Sequence, residues 1–411
     1  MNIAGSSSPI KRTFAALNYP NFRFWFYGQI VSLFGTWMQN TAQGFLIYEL
    51  TYSPAYLGYV GFASGAPSWI FMLIGGVITD RLPRRTLLII TQASMMILAF
   101  NLATFTFLGI VQPWHIIALS FLLGIANAFD APARMALAPE LVERDDITNA
   151  IALNAIMFNL AAIVGPAAAG IVYALVGPGW CFTLNGLTYL AVIAALILMR
   201  LPKPLPRFRP TSAFSELGYG IRYVINDRLV RGLIGLVGFT AFFGFSFVIL
   251  LPAWAVDVLG GDVITNGWLN SARGAGALFG AIVIAYLGQS KNRGRLLTVG
   301  MFLFPVFMII FSFARWLPMS ILFLCGAGAA LVFILNLANA IIQTRVSDDL
   351  RGRVMSIYSL TFFGLIPIGS LLVGQFANVL GEPIVLLMGS LILFIFAFVV
   401  WLLAPSIRLY E

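Results

Sequence analysis

Twelve long, mostly apolar segments occupy most of the 411-residue chain and restrict the folds open to it. A helix needs roughly 20 apolar residues to cross a hydrocarbon core about 30 Å thick. Hydrophobic residues make up 60% of the sequence and charged residues only 9%, which is more apolar surface than one water-soluble core can bury. The sequence therefore predicts an all-α membrane protein with twelve transmembrane helices. The predicted spans 1 to 12 are residues 24–48, 54–79, 86–110, 115–139, 149–174, 180–200, 231–255, 266–288, 296–314, 317–344, 355–379 and 383–406.

The distribution of positive charge predicts the orientation of these spans. If the spans alternate, Arg315 is the only basic loop residue that falls opposite the others. Basic loops stay on the cytoplasmic side of a membrane. We therefore expect a multi-pass protein of the cell inner (cytoplasmic) membrane with both termini in the cytoplasm. The net charge of +9 then reflects topology and contact with membrane lipids, so no nucleic-acid partner is expected.

Few residues are available for metal or redox chemistry. The chain has one histidine, His115, and two cysteines, Cys181 and Cys325, and their spacing matches no metal or redox motif. The sequence has no G-x-x-x-x-G-K-[ST] nucleotide-binding loop, and the spans carry no nucleophile and base set. We expect no metal, no cofactor and no enzymatic activity, and an ion gradient rather than ATP as the energy source.

The chain divides into two similar halves at the basic, proline-rich segment RLPKPLPRFRP, residues 200–210. Short sequences recur in order at offsets of 203 to 212 residues, as in ANA at 126–128 and 338–340. Two six-helix halves suit a transporter that rocks one half against the other around a midplane site. The predicted parts are a cytoplasmic N-terminal segment 1–23, a first half 24–200, a cytoplasmic linker with an amphipathic helix 201–230, a second half 231–406 and a cytoplasmic tail 407–411.

The stretch GGVITDRLPRRTLLI, residues 75–89, concentrates charge between spans 2 and 3. Its residues Gly76, Asp80, Arg81, Arg84 and Arg85 resemble the loop 2–3 signature of the major facilitator superfamily. The resemblance implies a latch that holds the two halves in the outward-facing state, with Asp80 accepting hydrogen bonds from arginines and from a helix N-terminus. The alternative is a basic loop that only fixes the topology.

The resemblance extends over essentially the whole chain. Residues 21–39, 130–142 and 351–360 are similar to the branch of the superfamily that includes enterobactin exporters and macrolide efflux proteins. In span 5, AAIVGPAAAG at 161–170 resembles the glycine-proline motif of antiporters. This resemblance implies close helix packing and a kink at Gly165, Pro166 and Gly170.

A polar stripe runs along span 1 at steps of three and four residues, and a shorter one runs along span 10. Lipid cannot satisfy amide side chains, so both stripes are expected to face the interior. There they line a substrate cavity or, alternatively, hold the helices together by hydrogen bonds. The stripes comprise Gln29, Ser32, Thr36, Gln39, Asn40 and Gln43 on span 1 and Asn336, Asn339 and Gln343 on span 10.

Two spans carry charge, which is expensive at membrane depth. Span 4 places Asn127, Asp130 and Arg134 on one face, with the acid one helical turn before the base. Asp130 is the candidate proton carrier, because protonation would break its pairing with Arg134, and the alternative is a static gate contact. On span 8, Arg273 is predicted either to meet an anionic substrate group or to snorkel outward.

Aromatic residues on span 7 complete the predicted pathway. Phe242 and Phe243 are predicted to line it for a bulky apolar ligand, or alternatively to contact lipid. Amides, aromatics and few charges together indicate an amphiphilic small-molecule substrate, such as a siderophore or a drug. We therefore predict a monomeric secondary exporter that works by alternating access and proton antiport. The alternatives are an importer or a lysophospholipid or lipid flippase of the same fold, and a transport-inactive membrane sensor.

Overall fold

A computed structural model of the protein describes residues 14–69, 71, 83–200, 213–287 and 292–408. The described spans are helical, as predicted. Their helices are Pro20–Thr51, Pro54–Gly65, Arg84–Phe107, Pro113–Leu137, Ile147–Val176, Pro178–Leu198, Arg228–Phe239, Val263–Leu287, Arg293–Ser312, Leu317–Arg345, Asp348–Leu380 and Glu382–Leu403, which are spans 1 to 12 in order. Shorter helices are Ala15–Asn18, Ala138–Leu141, Arg144–Asp146, the linker helix Ala213–Asn226 and Pro405–Arg408.

Spans 3 to 12 correspond to the ten described helices that are long and apolar enough to cross a membrane. Span 1 is long enough, with 32 residues, but its polar stripe lowers its hydropathy. Span 2 continues past Gly65 into residues of which 70 and 72–82 lie outside the described part. The predicted all-helical membrane fold is confirmed.

Proline and glycine mark many of the helix ends. Pro20, Pro54 and Pro178 stand in the first turn of their helices, where the missing N–H removes no hydrogen bond. Gly177 and Gly381 end spans 5 and 11 with φ of 90° and 82°, a backbone conformation that favours glycine. The two halves thus end their equivalent helices in the same way, as expected of a duplicated chain.

Span 7 differs from the regular helix that its apolar sequence predicts. After Phe239 the chain forms a π-helical turn over Thr240–Phe245, a 3-10 segment over Ser246–Leu250 and a second π-helical turn over Trp254–Val258. Such turns rotate the side chains that follow them and are frequent at functional sites. The irregular segment therefore sets the direction of Phe245 and Asp257, both of which contact residues from other spans.

The two ends of the bundle differ in charge. Arg84 and Arg345 at helix ends, and Arg200 just after the end of span 6, mark what we call the basic end. The opposite end carries Glu49, Glu382 and the end of span 7, and we call it the acidic end. Spans 1, 3, 5 and 6 pack together in the first half, and spans 8, 9 and 10 pack together in the second. Spans 2 and 5 of the first half meet spans 11 and 8 of the second.

Candidate functional site

Small residues bring the two halves into close contact toward the acidic end. A Cβ atom added to Gly374 of span 11 would lie 2.7 Å from the Cα atom of Gly58 in span 2. A Cβ atom added to Gly267 of span 8 would lie 2.6 Å from the carbonyl oxygen of Pro166 in span 5. These backbones touch because no side chain separates them. Larger side chains at these positions would force the halves apart.

Hydrogen bonds join the halves from the acidic end to about the middle of the bundle. At the acidic end, Tyr48 donates to Asp257 across the junction. Described residues also form hydrogen bonds across the junction from Ser53 to Asn378 (2.6 Å), from Ser271 to the carbonyl of Ile163 (2.6 Å) and from Trp69 to the carbonyl of Gly364 (2.9 Å). Backbone contact and hydrogen bonding together close this end.

Interior polar residues are exposed in spite of this closure. Asn127 lies two turns after Ser120 on the same face of span 4, and Ser120 accepts a hydrogen bond from Gln43 of span 1 (2.7 Å). Asn127 therefore faces the interior, yet it is exposed, as is Asn40 of span 1. Because the acidic end is closed, we infer that water reaches these side chains from the basic end.

Two residues of the span 1 stripe, Gln39 and Gln43, form interhelical hydrogen bonds. Gln39 accepts from Asn185 of span 6 (2.6 Å), and Gln43 donates to Ser120. Thr36 donates within its own helix to the carbonyl of Ser32 (2.9 Å). The Oε1 atom of buried Gln29 has no hydrogen-bond partner among the described residues. Within the stripe, Asn40 is the exposed amide.

The span 10 stripe and the span 7 aromatics occupy different surroundings. Asn336 and Gln343 are exposed, and Gln343 donates to Asn339 along the helix (2.5 Å). Phe242 and Phe243 pack edge to face with ring centroids 4.7 Å apart, and Phe243 is part of the core of the second half. Asn336 and Gln343 are therefore accessible on span 10, whereas Phe243 contributes to packing.

The glycine-proline motif of span 5 lies at the junction of several helices. A Cβ atom on Gly165 would lie 2.5 Å from Cβ of Trp37 in span 1, and one on Gly170 would lie 2.9 Å from Cα of Ile264 in span 8. Pro166 stands inside the helix, and its carbonyl faces Gly267. The motif therefore allows span 5 to approach one helix of each half.

Asp130 accepts hydrogen bonds inside the first half. It is 1% exposed, and its Oδ1 atom accepts from Thr91 (3.0 Å) and from Gln92 (2.9 Å), both on span 3. Its Oδ2 atom lies 3.5 Å from Nε of Arg134, one turn further along span 4. Two donors on span 3 and one cation on span 4 thus contact this carboxylate. Neutral donors thus bind Oδ1, whereas Oδ2 forms the ion pair with Arg134.

Arg84 and Arg85 connect helices within the first half. Arg84 forms an ion pair with Glu140 (2.6 Å) and donates to the carbonyl of Ala136 (2.8 Å). Arg85 donates to two carbonyls at the end of span 6, those of Met199 and Ile197. The other predicted latch residues, Gly76, Asp80 and Arg81, lie outside the described residues. The described contacts thus assign these two arginines to the cohesion of one half in this conformation.

The basic end of this half is further fastened by the segment before span 1. Tyr19 donates to Asp146 (2.8 Å), and the backbone N–H of Ala16 donates to Asn149 (2.9 Å). The hydrogen bond to the Asp146 carboxylate raises the pKa of the Tyr19 phenol, because it holds the proton on the ring oxygen.

Arg273 lies in the interior rather than at the membrane surface. It is 8% exposed, and its guanidinium carbon lies 5.8 Å from the ring centroids of Trp37 on span 1 and of Phe245 on span 7. Its Nε atom has no hydrogen-bond partner among the described residues. Snorkelling to the surface is thus wrong for this conformation.

The structure adds residues that the sequence did not single out. Trp37 and the pair Tyr48 and Asp257 became visible only through contacts between distant spans. Phe245 belongs to the span 7 aromatics, but its orientation depends on the π-helical turn before it. The sequence signal for this contact at the acidic end is the acid Asp257, which directly follows the apolar run of span 7. Among the described residues, no group of three or more His, Cys, Asp or Glu side chains could hold a metal ion.

We expect Tyr48→Phe to weaken closure of the acidic end about tenfold. A hydrogen bond to a charged group contributes roughly 1.5–3 kcal/mol, and this one joins the two halves. The measurement is the rate at which Cys introduced at Asn40 reacts with an impermeant thiol reagent added on the acidic side. Tyr173→Phe is the matched control, because Tyr173 donates to Glu49 within the first half. Equal reaction rates in both variants would contradict a role of Tyr48 in closure.

Comparison with known proteins gives the relationships of the chain. The model of the transmembrane secretion effector family matches residues 11–407. The staphyloferrin A transporter of Staphylococcus aureus is 24% identical over 367 residues, covering 87% of this chain and 90% of that protein. The multidrug efflux pump Tap of Mycobacterium tuberculosis is 30% identical over 372 residues, covering 85% and 87%. The enterobactin exporter EntS of Salmonella typhi is 26% identical over 351 residues, covering 83% and 82%.

The solved structure of the nucleoside transporter NupG has the same fold. It matches with a TM-score of 0.70 at 12% sequence identity, covering 95% of this chain and 98% of that one. This likeness shows the fold, whereas the match to the family model over almost the whole chain shows a multi-pass membrane transporter of the major facilitator superfamily, and not an enzyme. Within that superfamily, the chain belongs to the transmembrane secretion effector family. The predicted resemblance to siderophore exporters and efflux proteins is confirmed.

Proposed function

We propose that this transporter exports an amphiphilic small molecule of siderophore or drug type across the cytoplasmic membrane by alternating access. The observation that carries the proposal is the one-sided closure of the interior, with the halves in contact toward the acidic end and interior amides exposed. The names of the relatives, which include a staphyloferrin A transporter and a multidrug efflux pump, support this substrate class. Both halves belong to one chain, so a monomer suffices.

The basic end faces the cytoplasm in this proposal, and both termini lie there. Basic loops are retained on the cytoplasmic side, and Arg84, Arg200 and Arg345 all lie at this end. The described conformation is then inward-facing and open to substrate from the cytoplasm. Release outside requires the contacts at the acidic end to separate while the basic end closes. Gly76, Asp80 and Arg81 remain the proposed latch of that second state.

Exchange for protons is the proposed energy source, with Asp130 as the proton carrier. In the inward-facing state Thr91, Gln92 and Arg134 hold the carboxylate of Asp130 in place. Protonation in the other state would remove the attraction to Arg134. One residue thereby links proton binding to the position of span 4.

Uptake into inverted membrane vesicles tests this function. We expect a hydrophobic cationic dye or a catecholate siderophore to accumulate when the vesicle interior is acid, and not without the gradient. Vesicles from cells without the protein are the control. Accumulation in right-side-out vesicles only would identify an importer, and movement of a labelled lysophospholipid alone would identify a flippase. No transport of any of these compounds would contradict the proposal.

A further inference from the structure

Arg273 places a positive charge near the middle of the membrane. It is ten residues from the start of the helix Val263–Leu287, or about 15 Å at 1.5 Å per residue. This is about half the thickness of the hydrocarbon core. A charged side chain at this depth faces a cavity or a partner and is seldom retained without a function.

The surroundings of Arg273 leave its hydrogen-bonding capacity unused. Among the described residues, no carboxylate lies within 4.0 Å of its guanidinium, and no side chain or carbonyl accepts a hydrogen bond from it. Trp37 and Phe245 attract the cation through their ring faces. The five N–H groups of a guanidinium donate in its own plane, and these rings accept no hydrogen bond there. By contrast, Arg134 has Asp130 and Arg345 has Asp227 as an acidic partner. Within the part of the chain that the structure describes, Arg273 is therefore a buried cation without an anionic partner.

We propose that Arg273 binds a carboxylate group of the transported substrate, which rests on the proposed function of this interior. A guanidinium and a carboxylate form a bidentate pair of parallel hydrogen bonds, and this pairing is strong in a buried site. The rings of Trp37 and Phe245 flank the cation and hold the apolar part of the same molecule. The substrate class is thus an amphiphilic carboxylate with an aromatic or apolar body.

The site also connects substrate binding to the conformational change. Trp37 belongs to the first half, whereas Arg273 and Phe245 belong to the second. When the halves rock, Trp37 moves relative to Arg273, so the carboxylate exchanges one set of neighbours for another. A ligand that contacts both halves in one state only shifts the equilibrium between the states. Substrate bound to Arg273 therefore stabilises the conformation in which both rings flank it.

Binding of two matched probes to the purified full-length chain in detergent tests this site. The probes are 2-naphthylacetate and its neutral analogue 2-naphthylacetamide, with each Kd measured by calorimetry. We expect the wild type to bind the carboxylate at least tenfold more tightly than the amide. Arg273→Gln should abolish this preference, and Arg273→Lys, which keeps the charge but loses the planar fork, should restore part of it.

Arg315→Gln is the matched control. Arg315 also lies over a ring, 5.7 Å from the centroid of Trp254, but it donates to the carbonyls of Ser312 and Ala314 outside the interior. This variant should keep the preference of the wild type. If the wild type, Arg273→Gln and Arg273→Lys show the same preference for the carboxylate over the amide, the site is overturned. The same conclusion holds if none of them binds either probe.

The binding assay uses no gradient and no vesicle, so it separates the two proposals. An Arg273-dependent preference in a chain that transports nothing would overturn the export function and support the anion site. Gradient-driven transport of the cationic dye, unchanged in Arg273→Gln and without a carboxylate preference, would support export and overturn the site.

Discussion

Asp130→Asn is expected to abolish gradient-driven accumulation by the transporter while leaving substrate exchange intact. The asparagine carbonyl can replace Oδ1 and accept from Thr91 and Gln92, so the contacts between spans 3 and 4 persist. The amide cannot replace Oδ2, which faces Arg134 at 3.5 Å. The variant thus keeps the shape of the site and loses both the charge and the titratable proton.

The size of the effect follows from the driving force. One proton moving through 100 mV supplies roughly 2.3 kcal/mol, which corresponds to about fiftyfold accumulation. Without a proton carrier the ratio of internal to external substrate should fall to about one. Accumulation in inverted vesicles with an acid interior measures this ratio. Counterflow of labelled against unlabelled substrate, without a gradient, measures exchange.

The control and the contrary outcome both concern this hydrogen-bond network. Thr91→Val removes one neutral donor from Oδ1 and keeps the carboxylate, so it should retain accumulation. A folded Asp130→Asn protein that loses exchange together with accumulation would identify Asp130 as a fixed structural contact. Unchanged accumulation would remove Asp130 from the energy coupling and leave the proton path elsewhere.

The fold was predictable because the membrane imposes a length on every span. Boundaries were less predictable, since hydropathy marks the hydrocarbon core and not the ends of a helix. Span 11 begins at Asp348 in the structure and at 355 in the prediction, because backbone hydrogen bonds continue past the charged residues Arg351 and Arg353. The irregular turns of span 7 were not predictable, since no residue in FTAFFGF requires them. Tertiary contacts determine the type of helix that forms there.

The sequence predicts which charged residues belong to the site, but not which residues they contact. Arg273 and Asp130 stand out as charges within apolar runs, so composition alone reveals them. Their neighbours come from other spans, and hydropathy has no information on which helix faces which. The same holds for Gln39 and Gln43, whose partners are on spans 6 and 4. The sequence predicts that these amides face the interior. Only the helix packing determines whether each amide contacts a substrate or another helix.

A leucine at Gly374 is expected to hold the acidic end of the transporter open. A Cβ atom there would lie 2.7 Å from the Cα atom of Gly58 and 2.8 Å from the carbonyl oxygen of Pro54. Both are backbone atoms of span 2, so span 11 can accept the side chain only by moving away from the first half. Alternating access uses this same separation, so each half can keep its fold. Overpacking typically costs about 1–3 kcal/mol, which shifts the equilibrium roughly five- to 150-fold.

The distance between spin labels at Ser53 and Asn378 measures this shift, in a chain without its two native cysteines. The side chains of these residues are joined across the halves by a 2.6 Å hydrogen bond, so the labels are close when the acidic end is closed. We expect Gly374→Leu to populate a longer distance and to reduce transport at least tenfold. Gly352→Leu is the matched control in the same helix, because a Cβ atom there would meet no heavy atom within 4 Å.

The two variants together test whether closure of the acidic end is a step of transport. If Gly374→Leu lengthens the distance and stops transport while Gly352→Leu does neither, the glycine contact is needed for the inward-facing state. If Gly374→Leu leaves the distance unchanged, span 11 bends locally to admit the side chain, and the close approach to Gly58 is packing without a role in the switch. The smaller variant Gly374→Ala, which adds only the Cβ atom, should fall between the wild type and leucine if separation of the backbones is the cause.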